Sequence, residues 1–135
     1  MAYLGSFPAV FDAVFPSGAY VAGGVEKQRD FDKSKGDRVV QQIDKDTGLP
    51  LWVIEVIDPD PQARTRAVKV KVAAQVQPVI PAGPPGSPFV PVEFTGLTVT
   101  PYVNQAGRLA YSIKATGIRA PGRGRPGGEV REVAA

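Results

Sequence analysis

The sequence predicts an all-β fold, and three observations carry that prediction. Fifteen glycines and fourteen prolines are spread through 135 residues, a composition that places turns easily and long helices with difficulty. Short runs with a period of two recur at 51–57, 66–76 and 108–118, as strands require. A hydrophobic content of 43% is enough for one modest core at this length, so a single small domain is expected.

Taken in order, residues 1–19 place Phe7, Phe11 and Phe15 at spacings of four, with Pro8 and Pro16 limiting any helix to about two turns. The segment reads as an arm that docks its phenylalanines on the core or on a neighbouring subunit. Gly23 and Gly24 introduce a possible strand with Val25, Lys27 and Arg29 on one face, followed by a charged loop at 33–37. Residues 39–43 form a short strand candidate, and 44–48 have the composition of a turn.

Residues 51–57 form the clearest strand. Trp52, Ile54 and Val56 share one face, while Leu51, Val53, Glu55 and Ile57 share the other, which marks a central, largely buried strand. The turn Asp58-Pro59-Asp60-Pro61 leads to 66–76, where Val68, Val70 and Val72 point inward and Lys69 and Lys71 outward. Six prolines between 77 and 91 predict a long extended connection that is neither helix nor paired central strand.

Residues 94–103 and 108–118 form a final hairpin with Asn104 to Gly107 as its loop and Gly96 as a bulge candidate. On its second strand Arg108, Ala110, Ser112, Lys114 and Thr116 share a basic, polar face, and Leu109, Tyr111, Ile113 and Ala115 a core face. The domain organisation expected is an arm at 1–19, a barrel at 20–120 and a flexible basic tail at 121–135.

The chain has no cysteine and no histidine. Disulfides, thiolate nucleophiles, imidazole bases and the usual zinc, haem and iron–sulfur ligands are therefore excluded. A non-catalytic protein without cofactors is expected. There is no run of about 18 apolar residues, and no basic segment followed by an apolar one at the N-terminus. The expectation is a soluble, cytoplasmic protein that does not engage a membrane.

The net charge of +3 conceals an asymmetry. Residues 1–60 carry 6 basic and 10 acidic side chains, a net of −4, and residues 61–135 carry 10 and 3, a net of +7. The second half is the anion-binding half. Such a field attracts any polyanion without specifying its sequence.

Three Asp-x-Asp pairs, Asp30/Asp32, Asp44/Asp46 and Asp58/Asp60, are 14 residues apart. The middle one resembles the start of a calcium loop, but the bidentate carboxylate at its twelfth position would be Glu55, inside a strand that cannot wrap a cation. The pairs read as turn formers, and no metal site is assigned. Trp52 reads first as a core or interface residue and second as a platform for a base. Tyr102, between Pro101 and the hairpin loop, is placed to present a ring at the rim of a groove.

The segments DKDTGLPLWVIEVID (44–58), PFVPVEFTGLTVTPYV (88–103) and GRLAYSIKATGIRAP (107–121) resemble the replication, integration and excision activators of actinomycete integrative plasmids. The resemblance covers roughly residues 18–121. It implies a cytoplasmic role in mobilising an integrated element and brings no residue-level site with it.

About five strands, Gly-rich bends, a long loop and a basic hairpin fit a small OB-like antiparallel barrel with a Pro-rich loop and flexible termini. The function expected is single-stranded DNA binding in support of a mobile element's replication or transfer, by a dimer or larger homo-oligomer. Phosphates would meet Lys69, Lys71, Arg108, Lys114 and Arg119; bases would stack on Tyr102, Tyr111 and Trp52; Arg123 and Arg125 would add capture. The alternatives are a protein-interaction or transcription-activating regulator contacting replication or recombination proteins, and a structural subunit of a phage or plasmid assembly.

Overall fold

The computed structural model describes residues 6–30, 40–63 and 66–122. It is nearly all-β, a single eight-stranded sheet curled into a half-barrel and compatible with a small OB-like barrel. The strands are β1 (Phe7–Ala9), β2 (Ala19–Lys27), β3 (Leu51–Ile57), β4 (Ala67–Ala73), β5 (Val90–Thr95), β6 (Leu97–Val103), β7 (Leu109–Ala115) and β8 (Gly117–Arg119). One short helix, α1 (Phe11–Val14), follows β1.

The order across the sheet is β1-β6-β7-β4-β3-β2-β5-β8. β5 and β6 are two halves of one bent strand, and β7 and β8 two halves of another. Their inner halves pair with each other near one end of the order, and β5 pairs with β2 near the other. Chain continuity at residues 96 and 116 therefore ties the two ends of the sheet together. The bend needs Gly96: its φ is +60°, and a Cβ there would run into the Thr116 side chain. One pairing departs from the antiparallel scheme, since β4 and β7 run parallel.

The core follows from the alternation. Trp52, Ile54 and Val56 of β3, Val70 and Val72 of β4, and Val21, Val92, Leu97 and Ala115 all point into the barrel and are buried. Phe15, 1% exposed, packs against Phe94 at 6.3 Å between ring centroids, with Phe11 beside both. Burying a ring of this size contributes roughly 2–3 kcal/mol. The N-terminal segment thus docks on its own barrel: Phe7 to Ala9 pair with Leu97 to Val99, and Phe15 joins the buried core cluster.

Several boundaries differ from the sequence reading. Gly23 and Gly24 lie inside β2, where the register to β3 shifts between Val21 and Val25, instead of preceding a strand. Residues 40–43 make only isolated bridges, Arg29 to Gln41 and Ile43 to Pro50. Pro91 and Pro101 stand within strands. Each falls on a stretch with a neighbour on one side only, so a missing N–H need not break a ladder. The connection at 77–89 carries no strand or helix, as its prolines require.

Candidate nucleic-acid interface

The barrel's outer surface is the complement of its core. On β4, Val70 and Val72 are buried, so Lys69 and Lys71 face outward. On β6 and β7, Val99 and Ala115 are buried, so Thr98, Thr100 and Tyr102, and Ala110, Ser112 and Lys114, face outward. The register makes this one surface. Lys71 lies beside Lys114, which lies beside Thr98; Ser112 lies beside Thr100, and Ala110 beside Tyr102. Arg108 continues the same alternation one residue before β7.

The loop that carries Arg108 is built by Asn104. Its side-chain oxygen accepts hydrogen bonds from the N–H groups of Ala106 (2.9 Å) and Arg108 (3.1 Å), and Gly107 takes φ +74° to complete the turn. The outer half of the hairpin extends past the core. Tyr102 and Tyr111 are about half exposed, and Val103 and Leu109 more so. Tyr111 and Leu109, expected in the core, are therefore on the surface: the inward alternation continues, but the barrel ends beneath it.

Two of the five expected phosphate contacts are already occupied. Lys114 Nζ donates to Asp44 Oδ1 at 2.7 Å and Asp46 Oδ2 at 3.0 Å. Burial alone would raise the Asp44 carboxyl. Hydrogen bonds from Lys114 and Thr47, with the Lys114 charge, outweigh burial and hold it below its ordinary value. Burial likewise opposes the Lys114 charge, and the two aspartates reverse that effect, so its pKa is raised. Arg119 Nε donates to Glu93 Oε1 at 3.2 Å, and the Glu93 side chain is only 2% exposed.

Trp52 is not a stacking platform. It is 8% exposed, and its indole N–H donates to the Ala74 carbonyl at 3.0 Å. No ring face is left for a base. Lys69, Lys71 and Arg108 make no ion pair among the described residues; Glu55 stands opposite Lys69 in register without one. Arg123 and Arg125 lie outside the described residues.

Asp44, Asp46 and Glu93 are the residues that sequence reasoning missed as partners. The aspartates stand 70 and 68 positions from Lys114, and no local pattern links them. The other Asp-x-Asp turn that is fully described has a local role: Asp58 accepts from the Asp60 N–H and Asp60 from the Gln62 N–H. Among the described residues, no helix is long and apolar enough to cross a membrane. No family, curated protein or solved structure matches the chain.

Proposed function

We propose that this is a non-catalytic, cytoplasmic protein that binds single-stranded DNA across the outer face of β4, β7 and β6 and supports replication or transfer of a mobile element. The observation that carries the reading is the shared outward placement of Lys69, Lys71, Tyr102 and Arg108 on neighbouring strands, with no ion pair to any of the three cations among the described residues. Cations that track a backbone beside an aromatic ring are what a sequence-tolerant single-strand binder needs. The barrel adds support by analogy. OB-type barrels use the face of their second and third strands and the loops after the first and fourth. Setting β1 aside and counting β5–β6 and β7–β8 as one strand each, these are β3 and β4, the connection from β2 to β3, and the Asn104 loop. The mobile-element role rests on the resemblance alone.

Fluorescence anisotropy of labelled oligonucleotides across a salt series tests the reading. Salt-sensitive binding that prefers single strands is expected. The double substitution Lys69→Ala with Lys71→Ala should lower the salt slope by about 1.4, at about 0.7 per lost contact. Absence of binding at low salt would refute it.

A second reading is favoured by a separate observation. Val103 and Leu109, a cross-strand pair on the other face of the hairpin, are 70% and 55% exposed. A regulator that docks a replication or recombination protein would use such an apolar tip. Substituting both by Ser should abolish partner binding under this reading and leave strand affinity unchanged under the first.

A further inference from the structure

The clamp on Lys114 joins two carboxylates of opposite character. Asp44 is fixed: its side chain is 6% exposed and accepts from the Thr47 hydroxyl at 2.7 Å, while its backbone is bonded to Gly48 and Leu49. Asp46 is not fixed in this way. Its side chain is 82% exposed, and Lys114 is the partner that the described residues give it. Removing Asp46 from Lys114 therefore requires a side-chain rotation and no movement of the turn, and ion pairs at such exposure are weakly held.

The position matters because Lys114 stands in register with Lys71 on the outer face. A Lys ammonium has three donors, and an anionic oxygen of a carboxylate or of a phosphodiester satisfies one of them equally well. With Asp46 in place the formal charges of Lys71, Lys114, Asp44 and Asp46 cancel. When Asp46 swings away, the same patch carries one net positive charge, with Asp44 still holding Lys114 upright.

We infer that Lys71 and Lys114 form a subsite for a backbone phosphodiester of the bound strand, and that Asp46 occupies this subsite in the free protein as a stand-in for the phosphate. The inference rests on the single-strand reading above and deepens it. The acidic turn makes capture a two-stage event: Lys69 and the hairpin attract the strand, and the strand then displaces Asp46. Binding that begins elsewhere is thereby favoured over isolated phosphate ions, for which the occupied subsite has no net attraction.

The test is anisotropy of a labelled oligothymidylate with the full chain, comparing the unmodified protein with Asp46→Asn. Affinity at low salt should rise about three- to tenfold, because the cost of displacing Asp46 is gone, while the salt slope stays close to that of the unmodified protein, whose bound state makes the same phosphate contacts. Adding Lys71→Met to Asp46→Asn should remove that gain. Asp12→Asn, the same charge change at an exposed position of α1, which packs against β5, should leave affinity within about twofold.

Thermal unfolding of Asp46→Asn should lie close to that of the unmodified protein, because Asp44 retains Lys114. Equal affinity for Asp46→Asn, where the unmodified protein binds, would overturn the subsite and leave the single-strand reading standing. An equal gain with Asp12→Asn would overturn it as well, by reducing the effect to overall charge. Failure of both proteins to bind at low salt would overturn the broader reading, and the subsite with it.

Discussion

The last hairpin has two halves that use the same residue types differently. In the half that reaches the barrel, Lys114 and Arg119 are held by Asp44, Asp46 and Glu93, two of them buried carboxylates. In the half that extends beyond it, Arg108 stands with Tyr102, Tyr111, Val103 and Leu109, none of them buried. What separates the halves is the depth of the neighbouring acids. A buried carboxylate must keep its cation, because leaving it alone is costly, whereas an exposed arginine at a loop has no such obligation. Within this hairpin, the basic residues beside buried carboxylates are therefore structural first, and the arginine past the core is available to a ligand.

The largest effect expected is from breaking the structural half. Lys114→Ala strips Asp44 of its cation and should cost about 2–4 kcal/mol, read from urea unfolding. A variant as stable as the unmodified protein would erase the distinction between the halves. The bend between them is nearly as sensitive. Gly96→Ala imposes a Cβ on a residue at φ +60° against Thr116 and should cost about 1–3 kcal/mol, with a melting temperature several degrees lower.

The clamp also has a pH signature. The Asp44 carboxyl is lowered in the fold, so its contribution is complete above its ordinary value of 3.8 and disappears as pH falls through the folded value. Lys114 is raised, so its contribution is complete below 10.5 and lost as pH rises through its folded value. The stability difference between the unmodified protein and Lys114→Met should thus be level from about pH 5 to 9.5 and shrink on both sides, in urea midpoints taken across that range. A difference that varied across the plateau would mean that another group controls it.

The smallest effects belong to the exposed half. Tyr102→Ala and Arg108→Ala should each change stability by no more than about 0.5 kcal/mol, while the tyrosine change weakens strand binding by about 1–3 kcal/mol. A large loss of stability from either would show that the tip is packed after all. Trp52 supplies a null control. As the one tryptophan, with its ring in the core, it should keep its emission maximum when a strand is bound at the outer face, and a shift on binding would place the strand at the barrel's end.

Much of this fold was legible because period two is local. The strands at 51–57 and 67–73, the inward valines, the outward Lys69 and Lys71, and the Asn104 loop all follow from residues adjacent in sequence. The errors arose where local preference met a partner elsewhere. The double glycine became a bulge because β2 continues through it against β3. Pro91 entered a strand because only one neighbour flanks it, and residues 40–43 gained bridges without a strand.

By itself, the sequence determined the class of the fold, the faces of the strands at 51–57, 67–73 and 109–115, the absence of histidine and cysteine chemistry, and the concentration of positive charge in the second half. Only the tertiary structure decided which cations are available. That decision depends on through-space electrostatics between positions as distant as Asp44 and Lys114, and on where the core ends beneath Tyr111. Alternation tells which way a side chain points, but the depth of what it points at is set by strands that arrive from elsewhere in the chain.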